Sequence, residues 1–378
     1  MWAPNVAARR VQGSAADRDS FYRLPIPILI ASYEQIRTDT LSLGSAPRFD
    51  VVVLDEAQRI KNSESATALS CRRLSRACAW ALTGTPVENR PDDLFSIFQF
   101  LKPGLLRPFL ARGAVHERIQ PHFLRRTKQE VLGDLPPIIE QDLLLELQGA
   151  QRDAYDALWD SRRTILRSAG VPVSEANLLA LITRLKQLCN FDPASEESAK
   201  LESLLLLLEG LSETTDKVIV FSQYVETLKW LSERLDDIPH DIFHGGLADS
   251  VRDQVVGRFQ NEPGPRVLLM SLRAGGVGLN LQAASAVVLF DRWWNPAVEN
   301  QAIQRAHRFG RSRPLHAISF LVADSIEQRI AEVLRDKQLL FERYIEQAES
   351  ASVQQLSRTE LRRILALTAA DIDQESSD

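Results

Sequence analysis

The chain has 378 residues, more than one hydrophobic core usually supports, so we expect two domains of ordinary size. Its composition, 44% hydrophobic and 25% charged, is that of a globular protein, and no apolar run approaches the roughly 20 residues of a membrane helix, which excludes a membrane protein. The net charge of -5 gives no global attraction to nucleic acid, so a nucleic-acid surface would have to be local.

The cysteines and the N-terminal residues bear on the compartment. Cys71, Cys78 and Cys189 have no Cys-x-x-Cys spacing, which argues against a disulfide framework and against a zinc site, and we interpret them as buried thiols. Residues 1–17 carry scattered charges and no continuous apolar segment, unlike a secretion signal. We therefore expect a cytoplasmic protein.

Short apolar runs, spaced along both halves of the chain, have the form of buried parallel strands. The stretches between them have helical spacing, and this alternation predicts an α/β protein with parallel sheets. The predicted strands cover residues 26–31, 51–54, 79–82, 218–221, 267–270, 286–290 and 316–322.

A long helical stretch over residues 148–211 separates the two strand-rich regions, and the paired prolines within residues 134–137 indicate a connection before it. Residues 325–348 predict an amphipathic helix, and residues 359–367 one more before an acidic tail. The predicted layout is lobe 1 over 1–110, a helical linker over 111–200, lobe 2 over 201–325, and C-terminal helices with the tail over 326–378.

Two adjacent carboxylates, Asp55 and Glu56, follow the predicted strand 51–54. The carboxyl edge of a parallel sheet is where α/β proteins bind ligands. Asp55 is suited to holding Mg²⁺, directly or through water, and Glu56 to orienting and deprotonating a water that attacks a phosphoanhydride. Taken alone, the pair is also typical of two solvated acids that open a loop.

The next predicted strand, 79–82, runs into a tight turn containing Thr83, Gly84 and Thr85. Its two hydroxyls can hydrogen-bond acids on the neighbouring strand. An ordinary turn is the alternative, but the position shortly after the acidic pair favours a functional interpretation.

A glycine-rich segment, residues 271–280, follows the predicted strand 267–270. Glycine lets backbone N–H groups approach phosphate oxygens closely. The GxGxxG spacing of dinucleotide sites is absent, and the phosphates belong either to ATP or to a nucleic-acid backbone.

Two arginines, Arg305 and Arg308, are three residues apart, which predicts that they share one face of a helix. Planar guanidinium groups suit the phosphate oxygens of a transition state. The alternative is a solvated basic helix. We interpret His307, between them, as structural.

These pieces, in this order, resemble the helicase-like motors of superfamily two, and more narrowly the Swi/Snf-type family of chromatin remodellers with its bacterial relatives. The likeness runs from near residue 1 to about residue 348. The stretches that carry it are LIASYEQIRTD from Leu29, VVVLDEAQRIKN from Val51, LTGTPVENR from Leu82, FLRRTKQEVLGDLPP from Phe123, VIVFSQY from Val218, FHGGL from Phe243, SLRAGGVGLNLQAA from Ser271 and DRWWNPAVENQAIQRAHRFGR from Asp291.

The resemblance implies two RecA-like lobes that use ATP and Mg²⁺. It implies that Asp55 and Glu56 are the Walker B acids and that Thr83 to Thr85 couple hydrolysis to motion. The last motif supplies Gln301, Arg305 and Arg308, whose arginines act on the γ-phosphate from lobe 2.

The implied partner is double-stranded DNA, contacted mainly through its sugar-phosphate backbone, so that binding would depend on salt and be largely blind to sequence. A DNA-bound protein such as a polymerase is a possible obstacle to such a motor, and the implied location is bacterial, cytoplasmic and DNA-associated. The residues implied to contact nucleotide or DNA backbone are Ser32, Tyr33, Gly275, Gly276, Gly278, Asn280 and Trp294.

Two departures from the family matter. The family's first motif, a Gly-Lys-Thr loop that grips the β- and γ-phosphates, should lie upstream of the ASYEQ element, but no Gly-Lys dipeptide occurs in the chain. We therefore expect that lobe 1 is truncated, that Met1 is an accidental start, and that the chain does not hydrolyse ATP unaided. The smaller departure is Arg311, where the family usually has glutamine.

Three functional hypotheses remain. The first is an ATP-dependent double-stranded DNA translocase whose parent family is a DNA-dependent ATPase. The second is a non-hydrolysing DNA-binding or scaffold protein that uses the surviving surfaces. The third, an unrelated Mg²⁺-dependent hydrolase using Asp55, Glu56 and Asp291, leaves the arginine motif unexplained.

Overall fold

The chain folds into two compact units in the computed structural model. Unit 1 comprises Met1–Arg125 and Leu340–Ser352, and unit 2 comprises Arg126–Leu339 and Val353–Asp378. The structure describes residues 5–39, 43, 48–83, 91–106, 112–124, 126, 135–168, 173–211, 216–261, 264–275, 279–345 and 357–367.

Unit 1 contains two pairs of parallel strands, β1 with β2 and β3 with β4. Its elements are β1 (Ala8–Arg10), α1 (Ala15–Arg23), β2 (Ile28–Ile30), α2 (Tyr33–Thr38), β3 (Phe49–Leu54), a 3₁₀ turn (Ala57–Ile60), α3 (Ala66–Arg73), β4 (Arg76–Ala81), α4 (Pro91–Leu101), α5 (Arg112–Ile119) and a second 3₁₀ turn (Gln120–His122).

One face of the β3–β4 pair is covered and the other is exposed. Alternate residues, Leu54 among them, point into a core shared with the first 3₁₀ turn, α3 and α4. On the opposite face Val51 lies beside Cys78 and Val53 beside Trp80, and all four are exposed. The prediction of three buried thiols is therefore wrong for Cys78, because the face of β4 on which it lies is not covered, whereas Cys71 and Cys189 are buried as predicted.

Unit 2 is built on a six-stranded, all-parallel sheet with the order β5-β10-β9-β6-β8-β7. Its elements are β5 (Ile138–Leu145), α6 (Gly149–Ser168), α7 (Glu175–Asn190), α8 (Ala199–Gly210), β6 (Lys217–Ser222), α9 (Val225–Ser232), β7 (His240–Phe243), α10 (Asp249–Gln260), β8 (Val267–Ser271), α11 (Leu272–Gly275), β9 (Ala284–Leu289), α12 (Pro296–Ala306), β10 (Leu315–Val322), residues 326–339 of α13 (Ile326–Ile345) and α14 (Arg358–Ile364).

The central strands of the unit 2 sheet are buried on both faces. Ile219 and Phe221 of β6 pack with α10 and α12, whereas Val218 and Val220 of the same strand pack with α8 and α9. A strand covered on both sides needs apolar side chains at every position, which explains the continuous apolar runs in β6 and β8. A third core joins α6, α7, α13 and α14.

The predicted α/β class with parallel sheets is confirmed, and each of the seven predicted strands is present. The predicted helical stretch consists of α6, α7 and α8, and the two predicted C-terminal helices are α13 and α14. Sequence reasoning missed β1, β5 and β7, and β5 lies inside the segment predicted as a helical linker. The predicted domain boundaries stay a prediction. Among the described residues, no helix is both long and apolar enough to cross a membrane.

Candidate nucleotide and nucleic-acid site

The turn after β3 carries the two predicted acids. Glu56 adopts the left-handed conformation with φ 51° and ψ 51°, and its amide donates to Asp55 Oδ1 at 3.0 Å. The turn is fixed against the end of β4, because Ala57 N donates to Leu82 O at 2.9 Å and Leu82 N donates to Leu54 O at 2.8 Å. A left-handed non-glycine residue is strained by about 1–3 kcal/mol, and such strain is concentrated at functional sites.

A side-chain relay joins Glu56 to Thr83. Gln58 Nε2 donates to Glu56 Oε2 at 2.7 Å, and Gln58 Oε1 accepts from Thr83 Oγ1 at 2.7 Å. The expected bond between the turn hydroxyl and an acid is therefore indirect, with Gln58 between the two groups. Gly84 and Thr85, the other predicted coupling residues, lie outside the described residues.

The ASYEQ element is attached to the same turn. Tyr33 OH donates to Asp55 O at 2.8 Å, and the Arg59 guanidinium carbon lies 5.1 Å from the Tyr33 ring centroid. Burial raises the pKa of Tyr33, so the hydroxyl stays a donor at neutral pH. Ser32 caps α2, since its Oγ accepts from Gln35 N at 3.2 Å. Contact of Ser32 and Tyr33 with DNA stays a prediction.

In unit 2, the end of the glycine-rich segment lies against the end of α12. Leu281 N donates to Arg305 O at 3.1 Å, and Gln260 Nε2 donates to Asn280 O at 2.5 Å. The structure thus brings Asn280 and Arg305 into neighbouring segments. Gly275 ends α11, and Gly276 and Gly278 lie outside the described residues.

The prediction that Arg305 and Arg308 share a helix face is wrong, because α12 ends at Ala306. The chain then turns through Gly310, whose φ of 94° favours glycine, and Arg311 N donates to Arg308 O at 3.3 Å. Arg308 therefore lies in the turn, whereas Gln301 and Arg305, four residues apart, both belong to α12.

His307 has the structural surroundings that we predicted. It is buried, and its Nε2 lies 2.6 Å from Pro136 O, in the segment that leads into β5.

The DRWWNP stretch follows β9 and is held by buried polar groups. Asp291 is fully buried and accepts from Gln223 N at 3.0 Å, from Asn190 Nδ2 at 3.1 Å and from Ser222 Oγ. Both carboxylate oxygens are used in this way, which argues against Asp291 as a metal ligand of a hydrolase.

Trp294 packs against the helical core of α6 and α7, with Lys186 Nζ 4.7 Å from its ring centroid. Burial lowers the pKa of Lys186, and its ammonium donates to Arg292 O at 2.6 Å. The predicted contact of Trp294 with nucleotide or DNA stays a prediction.

The buried network around Asp291 extends to α13 through residues that sequence reasoning missed. Asn190 Oδ1 accepts from Lys200 Nζ at 3.1 Å, and Lys200 forms a 2.6 Å ion pair with Glu327 in which both side chains are fully buried. Glu327 also accepts from Val322 N at 3.1 Å. The network therefore ties α7, α8, α13 and the ends of β6 and β9 together.

The donor set of the unit 1 turn suits Mg²⁺. Asp55 is exposed, and oxygen is the ligand type that Mg²⁺ prefers. Within the described part of the chain, no three His, Cys, Asp or Glu side chains form a metal-binding group. At a nucleotide, Mg²⁺ is usually bound by one or two carboxylates, while water and phosphate oxygens complete its coordination shell. Asp55 and Glu56 therefore fit that ion.

The match to known families covers both units. A model of the SNF2-related domain matches residues 2–111 and 111–194, about half of the chain, and a model of the helicase conserved C-terminal domain matches residues 199–310. The chain belongs to the SNF2-related family. The chain therefore has the RecA-like fold that the resemblance implied.

Several curated relatives of this SNF2-related chain are ATP-dependent helicases by name. It is 34% identical over 359 residues to an uncharacterized ATP-dependent helicase of Mycoplasma pneumoniae, covering 90% of this chain and 35% of that protein. It is 35% identical over 375 residues to the putative ATP-dependent helicase/translocase YwqA of Bacillus subtilis, covering 90% and 40%. The chain thus spans about two fifths or less of the length of these relatives.

A solved structure resembles nearly the whole chain. The Sulfolobus solfataricus SWI2/SNF2 ATPase core in complex with dsDNA is 28% identical, with a TM-score of 0.50, and the match covers 97% of this chain and 82% of that one.

Proposed function

We propose that this chain is part of an ATP-dependent motor that moves along double-stranded DNA. The relay Glu56–Gln58–Thr83 carries the proposal, because it joins the acid Glu56, in the turn after β3, to Thr83, in the segment after β4. Family membership, and the duplex DNA bound to the Sulfolobus relative, support the same conclusion. We further propose a cytoplasmic, DNA-associated location.

In the proposed mechanism, Asp55 would hold Mg²⁺, and Glu56 orients and deprotonates the attacking water. When bound, the ion would neutralise charge on the phosphates. The left-handed turn directs Glu56 away from the line of β3, and the Asp55 carbonyl is held by Tyr33 OH. Gln58 donates to Glu56, so a shift of Thr83 changes the position of the base. This is a physical route by which hydrolysis and motion are coupled.

The residues of unit 2 that we assign to the proposed mechanism are mainly cationic. Arg305 and Arg308 stabilise charge on the transferred phosphoryl group, and Gln301 lies on the same helix as Arg305. The segment that ends at Asn280 contacts the DNA backbone. Contacts of this kind position the protein without reading bases.

One observation favours a second candidate for these 378 residues taken alone, which is DNA binding without turnover. They contain no Gly-Lys dipeptide, and the Gly-Lys-Thr loop is the part of the family's site that holds the β- and γ-phosphates. Phosphoryl transfer depends on such positioning. We expect the purified chain to hydrolyse no ATP with or without DNA, and steady turnover by the chain alone would exclude this second candidate.

The catalytic assignments are tested by supplying the phosphate loop. The chain is fused to the Gly-Lys-Thr-containing N-terminal part of a related protein, and DNA-stimulated ATP turnover is measured. Glu56→Gln and Arg305→Ala should each reduce turnover by at least about a hundredfold, the scale of a lost general base or charge stabiliser, while DNA binding is kept. Exposed Glu64→Gln and Arg313→Ala are the matched controls. Turnover that persists in Glu56→Gln would overturn the assignment.

A further inference from the structure

Arg311 stands where the family usually has glutamine, and its guanidinium group donates to four backbone carbonyls. Nη1 donates to Ala284 O at 2.6 Å and to Gln282 O at 3.3 Å. Nε donates to Arg313 O at 2.7 Å, and Nη2 donates to Pro314 O at 2.9 Å. One side chain therefore connects the segment before β9 to the segment before β10.

The two segments that Arg311 connects are continuations of the predicted site. Residues 279–284 continue the glycine-rich segment past Asn280, and residues 305–314 carry Arg305 and Arg308. Other bonds that join the same two segments include Leu281 N to Arg305 O at 3.1 Å and Gln282 Nε2 to Phe309 O at 2.5 Å. Arg311 is thus a main part of the junction.

The chemistry of the junction requires arginine. A glutamine amide has one nitrogen with two N–H donors, so it can satisfy at most two of the four carbonyls, and a lysine presents three donors from a single point. The planar guanidinium group directs its donors to both segments at once. Burial lowers the pKa of Arg311, and the opposing effect comes from Asp216. A partly buried cation surrounded by carbonyl oxygens is consistent with a structural clamp rather than with a surface charge.

We propose that Arg311 is a positioning residue that holds the Asn280 segment in register with the segment carrying Arg305 and Arg308. The proposal rests on the proposed function, since the positioned groups are those assigned to DNA backbone and phosphate. It predicts that the geometry of Arg311, and not its positive charge, determines how tightly the chain binds duplex DNA.

The experiment compares Arg311→Lys, Arg311→Ala and Arg313→Ala in the full 378-residue chain. Arg313 is the matched control, because its side chain is 77% exposed, it lies two residues away, and its loss removes the same charge. The dissociation constant for a duplex is measured at one salt concentration. Arg311→Lys and Arg311→Ala should both weaken binding about tenfold or more, and Arg313→Ala about threefold or less, the scale of one exposed charge.

Hydrogen exchange gives a readout that does not depend on DNA. The Leu281 amide and its neighbours in residues 279–284 should exchange faster in both Arg311 variants, and their exchange rates should be unchanged in Arg313→Ala. Amides in β6 and β8 should keep their protection in all variants, which would show that unit 2 is folded. Arg311→Gln should lie between Arg311→Ala and the unsubstituted chain.

The outcomes separate the two proposals. If the unsubstituted chain binds duplex DNA and Arg311→Lys binds it equally well, the positioning role is overturned while the proposed function stands. If the unsubstituted chain does not bind DNA, the proposed function fails, and unchanged exchange of residues 279–284 in Arg311→Ala would then overturn the clamp as well.

Discussion

The parallel strands of unit 2 and those of unit 1 have similar apolar sequences but very different surroundings. Ile219 and Val220, on opposite faces of β6, are both fully buried, whereas Val53 on β3 is 47% exposed and Trp80 beside it on β4 is 58% exposed. Parallel strands are ordinarily covered on both faces. An apolar run therefore predicts a strand, but it does not show which faces of that strand are covered within the chain.

Because of this difference, the predicted acids lie next to a partly exposed strand, whereas Arg305 lies on a helix that packs against buried strands. Asp55 and Glu56 follow a strand with one covered face, whereas Arg305 lies in α12, a helix that packs on the buried strand β6. Free energy of local unfolding depends on how much apolar surface an element buries. We expect unit 1 to open more readily than unit 2, and the following predictions test that expectation.

The largest effect is expected at the buried ion pair of unit 2. Lys200→Met leaves the fully buried Glu327 carboxylate without its cation and should lower the free energy of unfolding of unit 2 by about 3–5 kcal/mol. The double variant Lys200→Met/Glu327→Leu should recover most of this loss, because both charges are removed together. Urea denaturation is the measurement, and equal losses in the single and double variants would contradict the assignment.

Two isoleucine-to-alanine substitutions compare a buried strand of unit 2 with an exposed strand of unit 1. Ile219→Ala in β6 removes a fully buried side chain and should lower the free energy of unfolding by about 2–5 kcal/mol. Ile30 in β2 is 55% exposed, and Ile30→Ala should change stability by about 0.5 kcal/mol or less. A loss at Ile30 as large as the loss at Ile219 would show that the exposed faces of unit 1 are covered in solution.

A pH-dependent contribution is expected within unit 1. The Arg18 guanidinium group, which donates to both Asp39 oxygens at 2.7 Å, lowers the pKa of Asp39. Because the folded-state pKa is lowered, this contribution to stability is present above the ordinary value of 3.8 and is lost as the pH falls through the folded-state value. Asp39→Asn should therefore destabilise unit 1 by about 1–3 kcal/mol at neutral pH, and its effect should decrease as the pH falls below 3.8.

The effect of Asp39→Asn is measured by hydrogen exchange of the backbone amides in α1 and α2. Asp19→Asn on α1, whose partner Arg23 has a 57% exposed side chain, is the control, with an expected change of about 0.5 kcal/mol or less. A pH-independent effect of Asp39→Asn would contradict the role of the ion pair.

The smallest perturbation is chemical labelling of the cysteines. Cys78 lies on the exposed face of β4 and should react with a thiol reagent in the native protein without loss of structure. Cys71 is buried, and burial raises its pKa to about 11, so it should react only after unit 1 opens. Cys189, buried in unit 2, should react last. Protection of Cys78 would mean that another surface covers this face.

Much of the fold followed from local pattern. The seven predicted strands are apolar or β-branched runs, and such runs form strands wherever a sheet is available. The missed strands β1 and β7 are short, and β5 is an edge strand with exposed positions, so their pairing depends on the rest of the sheet rather than on their own residues. Tertiary context decides such segments.

Sequence reasoning reached the parts of the candidate site whose motifs are local, and it missed the residues that are joined over long distances in the chain. Asp55, Glu56 and Thr83 were predicted as site residues from their positions after strands, and their roles stay predictions. Gln58, which joins Glu56 to Thr83, bonds a residue 25 positions away, and Lys200 pairs with Glu327 at a separation of 127. A single sequence does not show such pairs, because a buried charged residue on a helix has the same spacing as a solvated one.

Binding of the 378-residue chain to duplex DNA tests the central claim most directly. Two duplexes of unrelated sequence are compared from about 50 to about 200 mM salt. Each phosphate contact is expected to make the slope of log affinity against log salt more negative by about 0.9. The account predicts similar affinities for the two sequences and a steep, equal decrease with salt. Absence of binding at the lowest salt, or strong preference for one sequence, would contradict it.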